Sequence, residues 1–162
     1  MNTADLVLNR RNIYGDYNLQ LDYEAYVMSQ FVFTSFKDSL QYQLSFSKII
    51  FKLSRLATSP DHVDSWKDIA GYAYLMAEYI CLKGESDEYY VFANSADGST
   101  VYDILYATID LYEKNNGASI PDEVIGRLFK LIVKIVTVAF ASCDNADAWT
   151  DLQKFCENQR IV

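Results

Sequence analysis

Apolar side chains recur along this chain at intervals of three and four residues, which is the period of an amphipathic helix. One such series runs from Phe36 to Phe51 and another from Trp66 to Ala77. No strict alternation of polar and apolar residues is bounded by Asn-Gly or Asp-Gly, so a β-hairpin is not indicated. The pattern predicts an all-α chain with helices over about 3–12, 17–33, 36–57, 62–83, 99–114, 121–142 and 145–160.

Helix-start signals support these boundaries. In four places a capping side chain stands three residues before an acid, and Pro121 lies near the start of the sixth helix. The four pairs are Ser35 with Asp38, Asp61 with Asp64, Ser119 with Asp122, and Asp144 with Asp147. The stretch 84–98 is the only long candidate connection. We expect one all-α domain over 1–162, divided near its middle.

The two halves resemble each other when the sequence is shifted by 83 residues. The segment 59–68 then aligns with 142–151 at five identities in ten, and the only two tryptophans, Trp66 and Trp149, coincide. Convergence of two helix-capping segments is the alternative, but capping does not explain the tryptophan. The shift predicts two tandem, diverged helical repeats that pack as one bundle, about 1–84 and 98–162.

Charge and composition limit the expected binding partners and the expected cellular location. The 162 residues carry 14 Lys and Arg against 22 Asp and Glu, a formal charge of −8, which is the wrong sign for gripping duplex nucleic acid. Three cysteines and one histidine lack zinc-site spacing and fit a reducing cytosol. Without a signal-peptide core we expect a cytoplasmic protein. The apolar stretch 128–143 contains two lysines, so a buried helix is expected there and no membrane span.

Three basic residues share one face of the predicted third helix. Lys48, Lys52 and Arg55 follow each other at steps of four and three. A solvated helix face is the ordinary explanation, but the acids that follow favour a site. The 83-residue shift places the apolar residues Leu131, Ile135 and Val138 at the equivalent positions of the second half. We therefore expect the second half to have lost the site, with Asp147 and Asp151 facing these apolar residues.

Carboxylates follow the basic face within a few turns. Asp61 and Asp64 suit a helix start, where the dipole stabilises acids, whereas Asp68 lies a turn further in. Because Asp64 and Asp68 are only about 6 Å apart, a bridging divalent cation is the sharper explanation. Magnesium accepts one or two carboxylates plus waters and substrate phosphates. The acids with Lys52 and Arg55 therefore predict a phosphate and metal site.

A second candidate element is the run from Arg10 to Tyr17. Gly15 predicts a sharp turn before a long helix, with Asp16 as the N-cap of that helix. His62 has the side chain of a general base, but a histidine in a first helical turn is more often a surface residue. Glycine-rich phosphate loops and a nucleophile elbow are absent from the sequence, which sets aside P-loop, Rossmann and α/β-hydrolase enzymes.

Three strings within residues 7–82 together resemble a family of uncharacterised, mostly phage-borne helical proteins. The strings are Arg11 with Tyr14-Gly15-Asp16, Lys52-x-x-Arg55-Leu56, and the run Asp64 to Ala73. That family looks like a distant branch of the MazG-like, all-α nucleoside triphosphate pyrophosphatases. The resemblance implies a MazG-like helical bundle, a site built between subunits or tandem repeats, and hence a homodimer as one expected assembly. It also implies the host cytoplasm as the location of a phage-encoded protein.

The resemblance further implies a set of site residues with Mg²⁺ as cofactor. The phosphate-binding residues would be Arg11, Tyr14, Lys52 and Arg55, and the metal ligands Asp16, Asp64 and Asp68. Such pyrophosphatases usually bind magnesium with an E-x-x-E pair on one helix and an E-x-x-D pair on another. The second pair is present here as Asp64 and Asp68, at spacing four rather than three, and the first pair is absent. Only Asp16, Asp22 and Glu24 stand near its place.

Two functions follow from these residues. The leading hypothesis is a magnesium-dependent (deoxy)nucleoside triphosphate pyrophosphohydrolase, or a relative that only binds nucleotides. The alternative is a non-catalytic module that sequesters a nucleotide signal or binds a host protein. Phosphate capture needs Lys and Arg but no activated water, so a cationic face without a full acid set suits the second hypothesis.

Overall fold

The computed structural model describes residues 2–31, 39–83, 99–140 and 146–159, and the regular structure within these ranges is all helical. The helices are α1 Thr3–Tyr14, α2 Tyr17–Ser29, α3 Ser39–Thr58, α4 Val63–Lys83, α5 Ser99–Asn116, α6 Asp122–Phe140 and α7 Ala146–Glu157. The all-α prediction is confirmed for these residues. Four predicted features lie outside them, namely the start signals at Ser35 and Asp144, the connection 84–98, and Cys143.

The core forms around α4 and α7, which pack along each other more extensively than any other two described helices. Trp66 of α4 and Trp149 of α7 are only 2% and 1% exposed. The Trp66 ring meets Phe155 of α7 edge to face, with centroids 6.3 Å apart. Because α3 packs on α4 and α6 packs on α7, both halves contribute to one apolar cluster.

The shift of 83 residues relates the helices in their order along the chain. It carries α2 onto α5, α3 onto α6, and α4 onto α7. Leu131, Ile135 and Val138, which replace the basic residues of α3, are buried, so their prediction as core residues is confirmed.

Asp151 does not face apolar residues alone, and that prediction is wrong. Its carboxylate lies 2.5 Å from the ammonium group of Lys134 on α6. Lys134 stands one residue before Ile135, the counterpart of Lys52. The second half therefore also has an ion pair between α6 and α7, but its lysine lies one position before the counterpart of Lys52.

No helix in the described part of the chain is both long enough and apolar enough to cross a membrane. The most apolar one, α6, places Leu128, Leu131 and Ile132 in the core. The predicted buried helix is confirmed over this segment.

Candidate functional site

The turn between α1 and α2 lies directly on the end of α5. α1 ends at Gly15, whose φ of +87° is a left-handed conformation that residues with a side chain rarely adopt. A Cβ at this position would lie 2.5 Å from Oδ1 of Asn115 on α5. Asp16 then caps α2, because its carboxylate accepts the backbone N–H groups of Asn18 and Leu19 at 2.8 and 3.3 Å. Both the sharp turn and the Asp16 cap are confirmed.

Tyr14, the last residue of α1, connects this helix to the rest of the molecule. Its carbonyl oxygen accepts a hydrogen bond from the side-chain amide of Gln20 on α2. Its ring meets the His62 ring edge to face, with centroids 5.3 Å apart. Residues 2–11, which include most of α1, are all exposed. The position of α1 therefore depends on its C-terminal end.

Arg55 of α3 is held between two aromatic rings. Its guanidinium carbon lies 4.0 Å from the centroid of Tyr14 and 4.5 Å from that of Phe51, distances at which a cation is attracted to a ring face. Its Nε is buried and has no hydrogen-bond partner. Because a buried unsatisfied donor costs about 1–3 kcal/mol, an acceptor that reached this nitrogen would be bound favourably.

An open cavity of about 370 Å³ lies beside Arg55, between α1, α2 and α3. Three arginines line it, namely Arg10, Arg11 and Arg55, and no carboxylate is among the lining residues that the structure describes. Its other polar and aromatic lining side chains are Tyr14, Tyr17, Asn18, Gln20 and Phe51. We call this cavity the arginine pocket. Its local positive charge stands against the chain's formal charge of −8.

One carboxyl group lies near Arg55 without lining the pocket. Glu24 follows Gln20 by one turn on α2, and its Oε2 is buried without a hydrogen-bond partner. Removal from water raises the pKa of Glu24, while the charge of Arg55 acts in the opposite direction. The pKa is raised on balance because burial has the larger effect.

His62 caps α4, and the predicted capping role of Asp61 is wrong. Nδ1 of His62 accepts the backbone N–H of Ser65 at 3.3 Å and lies 2.7 Å from its hydroxyl oxygen. The carboxylate of Asp61 instead accepts a hydrogen bond from Arg127 of α6 at 2.8 Å. This ion pair joins the start of α4 to the second half.

The predicted metal ligands are engaged in different places. Asp16 caps α2, the carboxylate of Asp68 lies 2.8 Å from the Lys52 ammonium, and Asp64 is exposed in the first turn of α4. Among the residues that the structure describes, no group of three His, Cys, Asp or Glu side chains is arranged to hold a metal ion. As arranged, these residues do not fit a magnesium ion held by several protein ligands, and the Mg²⁺ site stays a prediction.

The three basic residues of α3 have three different neighbours. Lys52 pairs with Asp68, and its ammonium lies 5.4 Å from the centroid of Phe51, a ring that lines the pocket. Lys48 lies over Tyr72 of α4 at 5.8 Å. Only Arg55 faces the arginine pocket.

Of the predicted phosphate-binding residues, Arg11, Tyr14 and Arg55 meet in the arginine pocket, whereas Lys52 does not line it. Three other lining residues, Arg10, Gly15 and Tyr17, belong to the candidate run 10–17 of the sequence but had no predicted binding role. The lining residues outside that run and outside the predicted site are Val7, Asn18, Gln20 and Phe51. Phe51 precedes Arg55 by one helical turn, so its contact with the guanidinium was open to detection from spacing. Nothing in the local sequence signals that Gln20 binds the Tyr14 carbonyl.

Comparison with known proteins gives one match. Residues 1–80 match the model of a family described as a domain of unknown function, DUF6378. Neither a curated protein nor a solved structure matches the chain. The described residues that line the arginine pocket all lie within the matched segment, since they run from Val7 to Arg55.

Proposed function

We propose that this chain binds a nucleotide in the arginine pocket, with its phosphates on Arg10, Arg11 and Arg55. The observation that carries the proposal is the state of Arg55, whose buried Nε has no acceptor although the guanidinium is held between two rings. Guanidinium groups recognise phosphate oxygens through paired N–H donors. Three of them, with no carboxylate among the described lining residues, favour an anion that carries several charges.

The aromatic side of the pocket supports a ligand with a planar base. Tyr17 opens α2 and is 56% exposed at the pocket, and its ring offers a face on which a base can stack, an interaction worth about 1–3 kcal/mol. Asn18 and Gln20 add amide groups on the same wall. The cavity volume falls within the range of small-molecule sites, about 300–1,000 Å³. An inorganic phosphate alone would leave this aromatic wall unused.

The proposed activity is binding without hydrolysis, as in the sequestration alternative. The arginines can neutralise phosphates without a metal ion. The carboxylates predicted to hold magnesium are capping a helix, paired with Lys52, or exposed on α4. Capture of an intact nucleotide is therefore the function that these contacts support best.

A pyrophosphohydrolase is the second candidate, and one observation favours it. Asp64 and Asp68 lie one turn apart on α4, and Lys52, the partner of Asp68, approaches the Phe51 ring of the pocket wall. Magnesium, if bound by these acids, would supply positive charge beside the phosphates. This candidate requires Asp68 to leave Lys52.

We also propose that the two halves are diverged tandem repeats of the MazG-like kind. The order of helices under the 83-residue shift and the burial of both tryptophans support this origin. A homodimer, a location in the host cytoplasm and binding to a host protein remain predictions from the sequence.

Titration calorimetry with the four ribonucleoside triphosphates and their deoxy forms tests the proposal, first in EDTA and then in Mg²⁺. We expect binding in EDTA, recovery of the nucleotide intact, and loss of binding in Arg55→Gln. Arg127→Gln is the matched control, because this half-buried arginine pairs with Asp61 outside the pocket. Absence of any binding would reject the proposal, and pyrophosphate release that appears only with Mg²⁺ would favour the hydrolase.

A further inference from the structure

One side chain of the second half binds directly to the turn beside the arginine pocket. Asn115, near the end of α5, accepts the backbone N–H of Asp16 on its Oδ1 at 2.8 Å. The same amide group donates to the carbonyl of Leu111 at 3.0 Å and faces the hydroxyl of Thr58 at 3.4 Å. It thus joins the turn between α1 and α2 to the ends of α3 and α5.

This connection matters because α1 has little other support. No other described helix packs extensively along α1, yet α1 supplies Arg10, Arg11 and Tyr14 to the pocket. The close fit of Gly15 against Asn115 and Thr58, with an ideal Cβ only 2.5–2.8 Å from their side chains, fixes how the turn lies on α5.

We infer that Asn115 is a positioning residue for the ligand site, through which the second half holds α1 in its binding position. The inference rests on the proposed function where it concerns ligand affinity. By accepting the Asp16 N–H, Asn115 sets the orientation of the turn, and the turn sets where Tyr14 lies beneath Arg55. Arg10 and Arg11, near the end of the same helix, move with Tyr14.

The chain offers a matched control at the next residue. Asn116 also ends α5, and its side chain donates to the carbonyl oxygens of Thr58 and Tyr112 at 3.0 and 2.9 Å. These bonds do not involve the turn between α1 and α2. Asn115→Ala and Asn116→Ala therefore remove the same side chain at the same helix end, but only the first releases the Asp16 N–H.

The test combines hydrogen exchange of the Asp16 amide with calorimetric titration of ATP and of inorganic tripolyphosphate, in EDTA. In Asn115→Ala we expect faster exchange at Asp16 and an affinity for both probes about 5–10-fold lower, the effect of about one lost hydrogen bond. Asn116→Ala should stay within about twofold of the wild type in both measurements. Asn115→Asp keeps an oxygen acceptor for the Asp16 amide but loses the donor to Leu111, so the Asp16 amide should exchange at a rate between those of the wild type and Asn115→Ala.

Equal exchange rates at Asp16 in the wild type and Asn115→Ala would overturn the inference, as would equal affinity losses in the two alanine variants. If the wild type binds neither probe, the nucleotide proposal fails. Exchange at Asp16 then still decides whether Asn115 holds the turn.

Discussion

The two halves of the molecule use corresponding helices differently. In the first half, Arg55 of α3 contacts two aromatic rings and lines a cavity. The corresponding residue of α6 in the second half is Val138, which is buried in the core and only 1% exposed. The same helix face thus lines the arginine pocket in one half and fills the core in the other. The position on the helix therefore does not by itself decide its use, because the side chain at that position differs.

The ion pairs of the two halves do not distinguish them. Lys52 pairs with Asp68 at 2.8 Å in the first half, and Lys134 pairs with Asp151 at 2.5 Å in the second. Both pairs join neighbouring helices near the surface, and each acid is about half exposed. A lysine and aspartate pair is therefore a shared structural feature. Among the described arginines, only Arg55 places its guanidinium over aromatic rings.

The largest expected effect tests whether both halves support the core equally. Trp66→Ala and Trp149→Ala should each lower the free energy of unfolding by about 3–5 kcal/mol, because each ring is buried. The Trp66 change also removes the hydrogen bond that its indole N–H donates to the carbonyl of Pro60 at 2.8 Å. Urea denaturation measures both losses. Tyr106→Ala, on an exposed ring, is the control and should change stability by less than about 0.5 kcal/mol.

The next largest effect is expected when Arg55 of the first half is replaced by valine, the residue at the corresponding position of the second half. Arg55→Val should weaken nucleotide binding at least about 30-fold, or about 2 kcal/mol, through loss of the charged donor. Stability should change little, because the variant also removes a buried nitrogen without a partner. Calorimetry and urea denaturation separate the two quantities. Unchanged binding would show that Arg55 is not part of the site.

The helices were predictable from the sequence because their apolar period is local, and the core face of α6 followed from the alignment of the halves. The arginine pocket was predictable only in part. Arg11, Tyr14 and Arg55 were selected from resemblance and charge, but their meeting depends on contacts between distant residues. Asn115 and Asp16, for example, are 99 positions apart. The assignment of Asp68 to a metal did not anticipate the competing ammonium of Lys52, which comes from another helix.

A smaller effect separates the two candidate functions. If nucleotide binding needs no metal, Asp68→Asn and Asp151→Asn should both leave the affinity unchanged and lower stability by no more than about 1 kcal/mol, the range of exposed ion pairs. The hydrolase hypothesis instead expects Asp68→Asn alone to abolish binding that depends on Mg²⁺. Titrations of ATP with Mg²⁺ and with EDTA distinguish these outcomes. A loss of affinity in Asp68→Asn alone would show that the acidic pair of α4 takes part in nucleotide binding.

The smallest expected effect is a dependence of stability on pH that belongs to the first half alone. Glu24 corresponds under the shift to Ala107, so only the first half has an ionisable group here. Burial raises the pKa of Glu24 above its ordinary value of 4.5, so the folded chain holds this proton more tightly than the unfolded chain. The associated stability is present below pH 4.5 and is lost as the pH rises through the raised pKa. Glu24→Gln cannot ionise, so its urea midpoint should fall less than that of the wild type between pH 4.5 and 7. If the urea midpoints of the two proteins fell equally, Glu24 would be as well hydrated in the folded chain as in the unfolded chain. The difference between Glu24 and Ala107 would then have no effect on the pH dependence of stability.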